Sequence, residues 1–139
     1  MLIYKNANLE KIVHPELSYK IAGLLFKTHN QLGRFCNEKQ YGDFIEKEIK
    51  ALNLTYEREK VLSPSFEDEH NNRNKVDFLI ENKIVLEIKA KRVLGNEDYY
   101  QVKRYLVALN QKLGILVNFR RKYINPKRIL NSSAKEWTD

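Results

Sequence analysis

A few charged residues in the middle of this chain have the types and spacing to hold a hard cation beside a phosphate. In the run KVDFLIENKIVLEIKAK, Asp77 and Glu87 fall in two adjacent apolar stretches, and Lys89 follows Glu87 by two positions. Carboxylates that face each other across paired strands repel, and a fold tolerates that only near solvent or where a cation neutralises them. Mg²⁺ or Mn²⁺ suits such a pair, because it takes one or two protein carboxylates and completes its shell with waters and phosphate oxygens. Asp77 and Glu87, with the backbone carbonyl of Ile88, are the candidate metal ligands. Lys89 would carry positive charge to the attacking water or to the phosphate, where negative charge builds during displacement. Glu-x-Lys alone is a weak signal, since both residue types commonly end strands as solvated side chains. Asp77 strengthens it, because a charge within an otherwise apolar strand pair needs a reason to be there.

The elements that must position these residues are readable from periodicity. From Pro15 to Leu32, the residues Leu17, Ile21, Leu24, Leu25 and Leu32 share one helical face, with Pro15 at the start and Gly33 at the stop. A second helix begins at Glu38, with Asn37 as its cap and Gln40 completing a capping box; Tyr41, Phe44, Ile45, Ile49 and Leu52 form its apolar stripe. Glu38 is a further candidate in its first turn, a place that the helix dipole also makes favourable for any carboxylate. LTYEREKVL reads as a strand, and Ser63 to Asn74 as a mobile polar loop. Lys75–Ile80 and Ile84–Ala90 then form a hairpin around Glu81, Asn82 and Lys83.

Apolar matching sets the register of that hairpin. With Ile80 opposite Ile84, Phe78 meets Leu86 and Val76 meets Ile88, which puts six apolar side chains on one face. The other face pairs Leu79 with Val85 and Asp77 with Glu87, and carries Lys89 beside Glu87. Asn96 is expected to cap a third helix with Val102, Tyr105, Leu106 and Leu109 inward; Gln101 and Tyr105, one turn apart, could steer a water or a phosphate. KLGILVNF is a buried strand and PKRIL a short last one. The whole describes an α/β sandwich, a mixed central sheet flanked by helices, in a single domain spanning residues 1–139.

Composition narrows the partners. The formal charge is +7, yet between Lys83 and Arg128 twelve Lys and Arg oppose only Glu87, Glu97 and Asp98, so the basicity is local. A basic half attracts polyanions, nucleic acid above all. Lys91, Arg92, Lys103, Arg104, Arg120, Arg121 and Lys122 are the candidate contacts. No apolar run approaches the roughly 20 residues that span a bilayer, and the first residues lack the apolar core of a signal peptide, so a cytoplasmic protein without a membrane partner is expected. One cysteine, Cys36, and three scattered histidines exclude a disulfide framework and a zinc-ligand pattern. Cys36 is read as a packed thiol and His29 as a residue that hydrogen-bonds at a helix end.

Taken together, LSYKIAGLLFKTHNQLG, then Glu38 and Tyr41, KVDFLIENKIVLEIKAK, the helix around Gln101 and LGILVNF resemble the small GxxExxxR proteins, over about Leu17 to Leu130. That family looks like a branch of the PD-(D/E)XK nuclease superfamily, of restriction-endonuclease-like fold. The resemblance places its helical Glu, strand Asp and (D/E)-x-K pattern on Glu38, Asp77, Glu87 and Lys89, and the Q-x-x-x-Y motif of RecB-like members on Gln101 and Tyr105. The leading reading is phosphodiester hydrolysis of nucleic acid with Mg²⁺ or Mn²⁺ as cofactor, DNA being expected in preference to RNA although the resemblance itself supplies no substrate; a homodimer is compatible with it. Two other readings use the same residues: a nucleic-acid-binding descendant without catalysis, and a protein-interaction subunit of a defence or repair assembly. The second of these gives no reason for the concentrated positive charge.

Overall fold

A computed structural model describes residues 13–70 and 74–132 of the chain. The order is α1 (Pro15–Leu32), α2 (Glu38–Ala51), β1 (Tyr56–Val61), β2 (Lys75–Ile80), β3 (Ile84–Lys89), α3 (Asn96–Leu109), β4 (Leu113–Asn118) and β5 (Lys127–Leu130). Each helix starts where its local chemistry dictates. Pro15 opens α1, and Gly33 closes it at φ 74°, a conformation that costs glycine nothing. At α2 the Asn37 side chain accepts the Gln40 N–H, and the Gln40 side chain accepts the Asn37 N–H, both at 2.8 Å. That reciprocal cap, whose Asn is typically worth about 1 kcal/mol, fixes Glu38 as the first helical residue. The third helix departs from expectation. Gly95, not Asn96, is its cap position, and the Asp98 carboxylate accepts the Gly95 N–H at 2.8 Å. A charged acceptor one turn inside the helix satisfies that donor, leaving Asn96 exposed as the first helical residue.

Among the described residues the strands form one sheet in the order β1-β2-β3-β4-β5. The first three make an antiparallel meander, β3 and β4 run parallel with α3 as the crossover, and β5 returns antiparallel to β4. Helices α1 and α2 cover one face, where Ile21, Leu25, Tyr41, Ile45 and Ile49 pack on Phe78, Ile80, Ile84, Leu86, Ile88, Ile115 and Val117. Helix α3 covers the other, setting Val102, Tyr105 and Leu106 on Val76, Leu79, Val85 and Leu116. No helix among the described residues is long and apolar enough to cross a membrane.

The hairpin of β2 and β3 pairs Ile80 with Ile84, Leu79 with Val85 and Phe78 with Leu86, the register that apolar matching selects. Its turn puts Glu81 and Asn82 at φ 54° and 51°, and the Lys83 N–H returns to the Ile80 carbonyl at 3.0 Å. Beyond Phe78 the regular ladder stops. Val76 packs under α3 rather than with Ile88, so five of the six apolar side chains expected on the α1/α2 face lie there. The cause is an irregularity at Asp77. The pairing of β1 with β2 joins Arg58 to Phe78 and Lys60 to Val76 but skips Glu59 and Asp77, and Glu59 stands at φ 52°. This local twist breaks strict alternation and turns Val76 to the opposite face from Phe78. Of the expected mobile loop, residues 71–73 lie outside the described residues, and Ser63 to Asp68 are all exposed.

Candidate active site

Where the β2–β3 ladder ends, the two carboxyl groups take over its hydrogen bonds. The Asp77 N–H donates to Glu87 Oε1 at 2.9 Å, and the Ile88 N–H donates to Asp77 Oδ2 at 2.7 Å. The two carboxyl groups are close enough that each alters the other's ionisation. Glu87 retains only 3 % of its exposure. Burying a carboxylate without full compensation costs several kcal/mol, so such a group holds its proton instead. Burial pushes the Glu87 carboxyl well above its ordinary range, and the neighbouring Asp77 charge pushes the same way, against the pull of Lys89. Asp77 is raised too, by burial first, with the Ile88 N–H opposing and Glu38 adding repulsion. Two acids that share a site and resist ionising together are the arrangement that a divalent cation relieves.

Lys89 extends from the last position of β3, and its ammonium donates to Gln101 Oε1 at 3.0 Å; Asp98 Oδ1 lies 3.9 Å away. Asp98 is almost wholly buried and also takes the Lys91 ammonium at 3.0 Å. Burial raises its carboxyl, but the Gly95 N–H and Lys91 outweigh that and hold it below its usual range. It is therefore a fixed negative anchor for two lysines. Glu38 stands at the mouth of the site, where its Oε2 accepts the Ala90 N–H at 3.3 Å. Tyr105 stays in the core under the sheet, with its hydroxyl pushed up to about 12 by burial and then by Glu87. It is a neutral hydroxyl across the biological range.

Glu38, Asp77 and Ile88 line one cleft of about 270 Å³, together with Lys39, Gly42, Arg58, Glu59 and Phe78. Sequence reasoning missed several of these residues. Arg58 crosses Gly42, where an added Cβ would meet its guanidinium at 2.5 Å, to reach Asp43 at 2.7 Å and Glu46 at 3.0 Å. Glu59 enters the cleft because of the irregularity opposite Asp77, which no property of a glutamate in a strand announces. Asp98 carried a signal that could have been used: an acid three residues after Gly95, at the start of an amphipathic helix. Among the described residues, no three His, Cys, Asp or Glu side chains converge as a ready chelate. The available donors, two carboxyls and the Ile88 carbonyl, are all oxygen, which suits a hard ion that keeps its own waters.

The basic candidates divide into two groups. Lys91, Arg92, Arg120, Arg121 and Lys122 sit on the loops leaving β3 and β4 beside Lys89, where Asn118 bonds to the backbone of both Lys91 and Arg120. Lys103 and Arg104 are on the outward side of α3, and Arg104 borders a recess with Leu62, Ser63 and Asn74, by the β1–β2 edge. The frame is thus a mixed five-stranded sheet with helices on both faces, with Asp77 and Glu87-x-Lys89 at the point where β2 and β3 part. The family model of the PD-(D/E)XK nuclease superfamily matches residues 15–129, and the chain belongs to that superfamily. No curated protein and no solved structure matches significantly.

Proposed function

We propose that this domain is a Mg²⁺-dependent phosphodiesterase acting on nucleic acid in the cytoplasm, on DNA in preference to RNA, and that it belongs to the GxxExxxR branch of its superfamily. One observation supports the reading: a buried Glu87 and a half-buried Asp77 take over main-chain N–H groups where the strand ladder ends, beside a lysine that Gln101 and Asp98 hold in place. Ionised together and without a cation, the pair works against the fold, since mutual repulsion and burial both oppose it.

In this reading Asp77, Glu87 and the Ile88 carbonyl hold the cation. When bound, it supplies Lewis-acid charge at a phosphate oxygen. Both acids hold protons more tightly than usual, so a cation would compete with those protons and binding would strengthen as pH rises. Lys89, steadied by Gln101 Oε1, places its ammonium where charge develops on the phosphate. Glu38, with one oxygen engaged by the Ala90 N–H, keeps the other to orient a water at the cleft mouth. Lys91, Arg92, Arg120, Arg121 and Lys122 contact phosphates flanking the cut, and Lys103 and Arg104 extend the field along α3.

The test is Mg²⁺- or Mn²⁺-dependent cleavage of single-stranded, duplex and branched DNA and of RNA, with Lys89→Ala purified in parallel. Cutting that needs the metal and disappears in the variant supports the proposal. Cutting that survives in Lys89→Ala, or binding without cutting on every substrate, removes it; the latter leaves a binding domain in its place.

A further inference from the structure

The loops around the candidate site carry a second pattern, which the hydrolytic residues do not use. Phe35 is 79 % exposed and Tyr123 is 77 % exposed. Each has a cation over its ring: the Arg34 guanidinium lies 5.1 Å from the Phe35 centroid, and the Lys122 ammonium 5.5 Å from that of Tyr123. The two loops are clamped together. Arg34 Nε donates to the Arg120 carbonyl at 3.1 Å, Arg120 Nε returns the bond to the Arg34 carbonyl at 2.9 Å, and His29 Nε2 bonds the Arg121 carbonyl at 2.9 Å. Beneath them Tyr41 stacks on Phe119 at 4.3 Å and its hydroxyl donates to the Gly33 carbonyl at 2.6 Å. The platform is thus built on the core and is not a pair of stray side chains. It is also adjacent to the site: Phe35 comes three residues before Glu38, and the second loop leaves β4 at Asn118, the register partner of Lys89.

Exposed aromatics that are rigidly mounted and flanked by cations need a partner that offers flat apolar faces and negative charge together. A duplex offers charge, but its base faces are stacked inside it. An unpaired strand offers both, and aromatic side chains beside a basic track are the means by which such strands are bound without sequence preference. The same mixture continues in a recess of about 240 Å³ on the α3 side, where Val93, Leu94 and Tyr99 meet Arg121 and Lys127. Neither Arg121 nor Lys127 has a carboxylate within ion-pair distance among the described residues. We infer that the strand handled by this site is unpaired, its bases stacking on Phe35 and Tyr123 while Arg34, Arg121 and Lys122 take the adjoining phosphates. This rests on the nucleic-acid reading above and adds a substrate class to it.

The experiment measures binding of the full chain in EDTA, where no cutting occurs, so it is independent of catalysis. The probes are labelled oligo-dT, oligo-rU, an abasic strand of the same length and a mixed-sequence duplex, tested on the wild type, Phe35→Ala, Tyr123→Ala, Phe35→Leu and the double alanine variant. Both side chains are exposed, so unchanged thermal melting should accompany each substitution. The expected result is tighter binding of oligo-dT or oligo-rU than of duplex, with each alanine weakening the single-stranded probes roughly 5- to 100-fold and leaving duplex binding unchanged. The abasic strand should bind the wild type about as weakly as oligo-dT binds the double variant, and Phe35→Leu should behave like the alanine. Duplex binding equal to or tighter than single-strand binding, or alanine effects equal on both, overturns the inference and leaves the nuclease reading standing. Failure to bind any probe at low salt sinks both.

Discussion

The β2–β3 hairpin has two ends built on opposed principles. At the turn, Ile80, Ile84, Phe78 and Leu86 meet in regular register inside the core, and main-chain atoms make the bonds. Each such side chain contributes about 1.5–3 kcal/mol through burial. At the open end, one residue further along, Asp77 and Glu87 replace main-chain partners with carboxyl oxygens, and both acids resist ionisation there. The regular end is where the sequence lowers the free energy of the fold. The open end is where it accepts a cost, and the regular end makes that cost bearable. Substitutions at the two ends should therefore separate activity from stability.

The largest effect is expected at the open end. Asp77→Asn and Glu87→Gln keep the shape and an oxygen acceptor for the Ile88 and Asp77 N–H groups, but remove the charge that holds the cation. Cleavage should fall to background in both, while thermal melting of the metal-free protein stays level or rises. Lys89→Ala should follow with a rate loss of about 10²–10³, with Mg²⁺ affinity by titration calorimetry nearly unchanged. A Glu87→Gln protein that still cuts would remove the metal assignment.

The next effect belongs to the regular end. Ile84→Ala removes a fully buried side chain where the strands pair tightly, and should cost about 2–5 kcal/mol in denaturant unfolding. Its cleavage rate, measured where the variant remains folded, should be close to that of the wild type. If Ile84→Ala and Glu87→Gln change rate and stability in the same proportion, the two ends are not functionally distinct.

This contrast also explains what the sequence made legible. The limits of α1, the Asn37–Gln40 cap and the Ile80–Ile84 register follow from residues close in the chain, so apolar period and capping chemistry are enough to read them. The nearness of Asp77, Glu87 and Lys89 was legible because strand alternation puts them on one face, whereas the contact of Lys89 with Gln101 depends on how α3 packs on the sheet. The side to which Val76 turns depends on Glu59 in a different strand, and the loop clamp depends on Arg34 meeting Arg120 across 86 positions. Alternation within a strand cannot register a twist imposed by its neighbour. Asp98 was overlooked because it does two jobs, capping α3 and anchoring Lys91, and only the first has a local pattern.

A smaller effect follows from the titration of the open end. Glu87 holds its proton more tightly in the folded protein than at its ordinary value of 4.5, and Asp77 more tightly than at 3.8. Between those values and the raised folded ones, the unfolded chain gives up protons that the folded chain retains. This pair's contribution to stability is therefore largest at acidic pH and declines as pH rises through that window. Thermal melting of the metal-free wild type, relative to Glu87→Gln, should fall from about pH 4.5 upward, and saturating Mg²⁺ should reverse the trend at neutral pH. A wild-type-minus-variant difference that is flat with pH would mean the two acids ionise freely in the fold.

The smallest expected effect is at Glu38, which belongs to the open end by position but not by burial. It is exposed, it starts α2, and its contact with the strands is one hydrogen bond from the Ala90 N–H at 3.3 Å. Its charge also adds to the repulsion that raises Asp77. Glu38→Gln keeps an oxygen for the Ala90 N–H and removes only the charge. A single exposed hydrogen bond is worth about 0.5–1.5 kcal/mol, so the rate should fall by roughly tenfold or less, well short of the loss at Glu87 or Lys89. The variant should also ease the ionisation of Asp77, moving the onset of Mg²⁺ binding to slightly lower pH even as cleavage slows. Opposite movement of these two readouts would mark Glu38 as a residue that orients water beside the metal pair. A collapse of Mg²⁺ affinity in Glu38→Gln would instead make it a ligand, and the Asp77–Glu87 pair at the open end of the hairpin would be part of a site of three acids.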